Sequence, residues 1–221
     1  IYNGDLPNTL TELCTPGSFN HPLDGVLPSS LTKLVLGHNF NQKLGTTLTA
    51  TPILKYLRLG DEYDHDLSDS WLPCTLEELY CYSCPTRLST LPNSVRIIEL
   101  LKTRHSFNPF FQMKGQFPES LTKLTLEKFC SPLGKILPPK LLQLEMGLSF
   151  NRKITPGELP LTLERLTFRD KQYSWSNQFK SINAFSRKVL PNSLKYLSTG
   201  NYFNEKLSVR LFPDSISELI L

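Results

Sequence analysis

No apolar run in the 221-residue sequence approaches 18 residues, so it offers no membrane-spanning helix. Cysteine is sparse: Cys14, Cys74, Cys81, Cys84 and Cys130 are odd in number and irregularly spaced. That pattern excludes a disulfide framework and predicts a reducing, intracellular, cytoplasmic setting. No Asn-x-Ser/Thr sequon contradicts it. Histidine is limited to His21, His38, His65 and His105, and Cys81-x-x-Cys84 has no second ligand pair, so neither a metal nor another cofactor is expected. There is no G-x-S-x-G elbow and no phosphate-binding G-x-x-x-x-G-K-S/T loop, so catalysis is not expected. The chain opens on Ile1 rather than Met, as expected of a fragment, and a missing N-terminus would be the place for a targeting signal. Neither sign of charge dominates: 24 basic and 20 acidic residues leave a net charge of +4. The excess is local to 169–189, where Arg169, Lys171, Lys180, Arg187 and Lys188 face Asp170 alone.

What the sequence has is punctuation. Its 17 prolines are spread along the chain, and nine of them follow Leu or Phe. Those nine are Pro7, Pro28, Pro73, Pro92, Pro118, Pro138, Pro160, Pro191 and Pro213, and they mark unit starts near 6, 27, 72, 91, 117, 137, 159, 190 and 212. A tenth unit fits at Ala50-Thr51 without the proline. An apolar triplet L-x-x-L-x-L follows at fixed offsets, as in Leu31/Leu34/Leu36, Leu54/Leu57/Leu59, Leu121/Leu124/Leu126 and Leu141/Leu144/Met146. Its third position is looser, holding Thr15, Cys81 and Thr199. On this register Cys81 is a core substitute for Leu rather than a ligand. Two aliphatics spaced by two residues have strand geometry, and one such strand cannot stand alone. Ten copies stacked in parallel make a sheet backed by one core.

A second motif follows the triplet. Phe19-Asn20, Phe40-Asn41, Phe150-Asn151 and Phe203-Asn204 lie at one offset from their unit starts, Tyr63-Asp64 takes the same place, and Phe107-Asn108 comes late in its unit. Gly37, Gly60, Gly147 and Gly200 precede the aromatic by three residues, which suggests positive φ or a close backbone approach. Units such as LPSSLTKLVLGHNFNQKL (27–44) and LPPKLLQLEMGLSFNRKI (137–154) resemble the FNIP repeat, the FGxxFN-type leucine-rich repeat of social amoebae and giant DNA viruses. The resemblance runs along essentially the whole chain. It implies a leucine-rich-repeat-like solenoid, with a parallel sheet on the concave face and short turns on the convex side. Many family members carry an F-box ahead of the repeats, which implies substrate recognition for a ubiquitin ligase; no F-box-like segment lies within these residues. For a viral protein the compartment would be the host cytoplasm.

The expected architecture is therefore a single solenoid over 1–221 that binds another protein. Phe19, Phe40, Phe107, Phe150 and Phe203 are expected to stack as an inward spine, and Asn20, Asn41, Asn108, Asn151 and Asn204 to form a buried ladder. Residues that point outward from the strands line the face where solenoids bind partners. The candidates are Lys33, Tyr56, Arg58, Glu78, Tyr80, Glu99, Arg165 and Tyr196, with Tyr and Arg the usual anchors. The alternative class is nucleic-acid binding through the basic stretch 169–189, which also carries Tyr173, Trp175, Phe179 and Phe185. The last triplet, Ile216/Leu219/Leu221, has no polar cap, so homodimerisation through a terminal unit is expected.

Overall fold

The computed structural model describes residues 4–65, 71–83, 91–102, 117–129, 132–147, 150, 152–169, 188–200 and 211–221. Ten strands are described, one per repeat: β1 (Glu12–Cys14), β2 (Lys33–Val35), β3 (Tyr56–Arg58), β4 (Glu78–Ser83), β5 (Ile97–Lys102), β6 (Lys123–Leu126), β7 (Gln143–Met146), β8 (Arg165–Phe168), β9 (Tyr196–Ser198) and β10 (Glu218–Ile220). They belong to two compact units, β1–β5 in the first and β6–β10 in the second.

Within each unit, successive strands pair in parallel without slippage. In the first, Leu13, Leu34, Leu57, Leu79 and Ile98 form one register row. In the second, Leu124, Leu144, Leu166, Leu197 and Leu219 do the same. These are the middle apolar positions of the triplets, and Leu34, Leu57, Leu79, Ile98, Leu124, Leu166 and Leu197 are fully buried. A one-residue slip would turn each row to solvent, so burial of the row fixes the register. The repeat of about 22 residues is thus one coil of a solenoid.

Three turns close a coil. At the first, the N–H of the leading triplet residue donates to the proline carbonyl three residues earlier, as Leu31 does to Pro28 (3.2 Å) and Leu163 to Pro160 (3.1 Å). Proline serves there because only its carbonyl is needed. The second turn leaves the strand: Phe40, Tyr63 and Phe150 donate to the carbonyls of Gly37, Gly60 and Gly147 at 3.0–3.1 Å. The third follows a buried aliphatic, Val26 donating to Leu23 and Thr47 to Leu44. After Leu44 the chain makes a 3₁₀ helix over Gly45–Ala50.

Two features explain the spacing of small residues. A Cβ on Gly37 would lie 2.0 Å from the Pro16 carbonyl oxygen, and one on Gly147 would lie 1.9 Å from that of Glu127. These glycines exist because the preceding coil's backbone occupies that space; neither has positive φ, whereas Gly200 does, at 77°. The second feature is a serine/threonine ladder. The hydroxyls of Ser30, Ser94 and Ser120 donate at 2.6–2.8 Å to the carbonyls of Leu10, Leu76 and Val95, and those of Ser193 and Ser215 to Leu163 and Leu194 at 2.6 and 2.7 Å. Each links the residue before a triplet to the first triplet residue one coil back, satisfying carbonyls at the strand entrance.

Candidate functional site

Alternation puts the charged and aromatic strand residues outward. In the first unit pairing aligns Glu12, Lys33, Tyr56, Glu78 and Ile97 in one row and Cys14, Val35, Arg58, Tyr80 and Glu99 in the next. The rings of Tyr56 and Tyr80 stack, with centroids 4.8 Å apart and planes at 28°. Lys33 Nζ pairs with Glu12 Oε2 at 3.1 Å and lies 5.6 Å from the Tyr56 ring centroid. The Tyr80 hydroxyl donates to Glu78 Oε2 at 2.7 Å.

Both phenols are held protonated. Burial pushes Tyr80 above the ordinary tyrosine range, helped by its bond to Glu78 and by the charges of Glu78 and Glu99. Burial also raises Tyr56, with Arg58 and Lys33 opposing the shift. The pair is therefore a neutral, half-buried aromatic platform at any ordinary pH.

β4 and β5 each run six residues, against three or four in the other strands described. The extension carries the alternation one step further and adds Tyr82 and Leu101 to the same face. Together with Tyr56, Arg58, Tyr80 and Glu99 they line a recess of about 160 Å³. Tyr82 and Leu101 lie beyond the face residues expected from the sequence, although Leu79-Tyr80-Cys81-Tyr82 already shows the continued period of two.

In the second unit the rows are Lys123, Gln143, Arg165, Tyr196, Glu218 and Thr125, Glu145, Thr167, Ser198, Ile220. The Arg165 guanidinium lies 3.7 Å from the Tyr196 ring centroid. Glu145 accepts from Arg169 Nε at 2.6 Å and from Thr125 Oγ1 at 3.1 Å. Among the described residues, the recess of the first unit has no counterpart built on paired tyrosines here.

Phe40 is fully buried, Phe150 is 4% exposed and Phe19 is half-buried. Phe19 and Phe40 stack at 6.2 Å with nearly parallel rings. Two rings outside the Phe-Asn register join Phe150: Phe129 at 6.4 Å and Phe168, a third triplet residue, at 6.3 Å. Repeats without an in-register Phe-Asn thus fill the aromatic position from elsewhere. The asparagines correct the expectation of a buried ladder. Asn20 Oδ1 accepts from the Asn41 N–H and Asn41 Oδ1 from the Asp64 N–H, both at 2.9 Å, but Asn20 is exposed and Asn41 half-exposed. At these two positions the ladder therefore runs along the surface. Phe107, Asn108, Asn151, Phe203 and Asn204 lie outside the described residues, as do Cys84, Cys130, His105 and 170–187 of the basic stretch.

Cys81 is fully buried in the core. His21 and His65 pack edge-on against Phe19 and Tyr63, and His38 Nδ1 lies 2.8 Å from Asp61 Oδ2. No group of three metal-ligating side chains occurs among the described residues. No helix among them is long and apolar enough to cross a membrane. At the last strand Ile216 is half-buried, while Leu219, Ile220 and Leu221 are 38%, 47% and 49% exposed.

The FNIP repeat model matches residues 19–45 and 183–221. No curated protein matches the chain. Among solved structures it is similar to CroV588 of the giant virus CroV, described as a novel circular LRR protein, at 29% identity and a TM-score of 0.74 over the whole of this chain. This chain spans only 34% of the length of that protein. A weaker likeness, at 20% identity and a TM-score of 0.31, is to YopM from Yersinia enterocolitica, over 97% of this chain and 51% of that one.

Proposed function

Because the chain carries FNIP repeats wound as a leucine-rich-repeat-like solenoid, we propose that it is a non-catalytic scaffold that binds a partner protein on its outer strand face. The observation that carries this reading is the Tyr56–Tyr80 stack beside Arg58 and the recess it walls. The repeating positions of the coils form turns and core, and these residues serve neither. They expose aromatic surface and a guanidinium where a partner would have to lie. The proposed setting is intracellular, with the chain supplying the recognition surface of a larger assembly such as a ubiquitin-ligase adaptor.

Affinity capture from extract of the source cell, with bound proteins identified by mass spectrometry, tests this. The wild-type chain should retain a partner that Tyr56→Ala with Tyr80→Ala loses. Equal retention by a folded double variant would refute the assignment to this face.

A further inference from the structure

We infer that the recess beside Arg58 is an anchor site for a partner polypeptide presenting a carboxylate next to an apolar side chain. The inference rests on the strand-face reading above and specifies the chemistry of the partner.

Size comes first. Pockets for small-molecule ligands run to roughly 300–1,000 Å³. The recess, at about 160 Å³, is too small for that class and suits one inserted side chain. Its walls are the stacked Tyr56 and Tyr80, with Tyr82 and Leu101 on the β4–β5 side. Such walls receive an apolar group, and aromatic-lined clefts near the centre of a face are where binding energy concentrates.

Charge then sets the chemistry beside that group. Nearby cations on the first unit are already matched: Lys33 with Glu12 at 3.1 Å and Lys55 with Glu77 at 3.2 Å. Glu78 is engaged by the Tyr80 hydroxyl. Arg58 is exposed and pairs with no carboxylate among the described residues; its row neighbours are Val35 and Tyr80. A guanidinium supplies a planar fork of donors that fits a carboxylate with two parallel hydrogen bonds. Glu99 stands on the opposite side of the recess, with Tyr80 between it and Arg58 in the row. The recess thus carries a cation at its β3 end, and that end attracts an acid. A peptide can satisfy that pattern by placing a single acid beside an apolar residue. A nucleic-acid backbone, negative at every step, calls for a track of cations, whereas Arg58 stands between Val35 and Tyr80 in its row, which favours a polypeptide.

The test is selection from a random displayed-peptide library against the intact chain, followed by affinity measurement on the enriched peptides. Enriched sequences should carry Asp or Glu adjacent to an aliphatic or aromatic residue. Their affinity should fall about tenfold or more with Arg58→Ala and by less with Arg58→Lys, which keeps the charge and loses the fork. Selection against Arg58→Glu should return Lys or Arg in place of the acid. Peptides that depend on Tyr80 but are indifferent to Arg58→Ala would overturn the carboxylate assignment and leave the face reading intact. Peptides indifferent to both positions would overturn both. An oligothymidine strand that displaces the peptides in an Arg58-dependent manner at physiological salt would overturn the polypeptide assignment in favour of nucleic acid.

Discussion

Gly147 and Tyr80 show how two single residues come to be what they are. A β-carbon at Gly147 would sit 1.9 Å from the Glu127 carbonyl oxygen, and nothing flexible is there to yield. Gly147→Ala should therefore cost about 1–3 kcal/mol by forcing two coils apart, seen as a lower midpoint in urea. An unchanged midpoint would mean the coils are not packed backbone to backbone. Tyr80 makes a prediction in pH. Its phenol titrates above the ordinary value of 10.0 in the folded chain, chiefly through burial and then through its bond to Glu78. The folded state thus holds this proton more tightly than the unfolded state. The stability it contributes is complete below pH 10 and is lost as pH rises from there through the raised value. Absorbance titration should show late-ionising phenols, and Tyr80→Phe should reduce the late absorbance change by one phenol. An ordinary titration in all eight tyrosines would contradict the half-buried platform.

At the scale of the element, the strands were legible and the connections only partly so. Two aliphatics at a spacing of two mark an inward pair, and a parallel sheet needs little else, because a slipped register exposes the whole row. Leu34, Leu57 and Leu79 could thus be placed from their offsets alone. The aromatic position was harder, since packing asks for a ring at a point in space and not at a fixed offset. Phe129 and Phe168 reach that point from positions outside the motif, which no spacing rule could reveal. The Ser/Thr ladder went unread for the opposite reason. Small hydroxyls recur everywhere, and what distinguishes Ser30 or Ser94 is a carbonyl one coil away. The same gap misjudged Asn20 and Asn41, which bond neighbouring turn amides from the surface rather than from the core. These roles separate in energy. Phe40→Ala empties a fully buried site and should cost about 3–5 kcal/mol. Asn41→Ala gives up one partly solvated bond to the Asp64 amide and should cost only about 0.5–1.5 kcal/mol. Comparable losses for the two in chemical denaturation would return the asparagines to the core.

For the molecule as a whole, regularity and function fall on different residues. Leucine triplets, turn prolines, approach glycines and stacked rings repeat because every coil must meet its neighbours in the same way. The outward strand positions carry no such demand, and there the sequence varies: Lys33, Tyr56, Glu78 and Ile97 succeed one another in a single row. The candidate site was legible to that extent. Its depth was not, because the recess depends on β4 and β5 outrunning the other strands, so that Tyr82 and Leu101 join the face. The central claim is that this face is where a partner lies, and site-specific photocrosslinking tests it directly. A photoreactive amino acid placed at Ile97, on the face, should form an adduct with a partner protein in cell extract. The same probe at Thr49, exposed in the 3₁₀ helix away from the strands, should form none. Adducts from position 49 with none from position 97 would contradict the account.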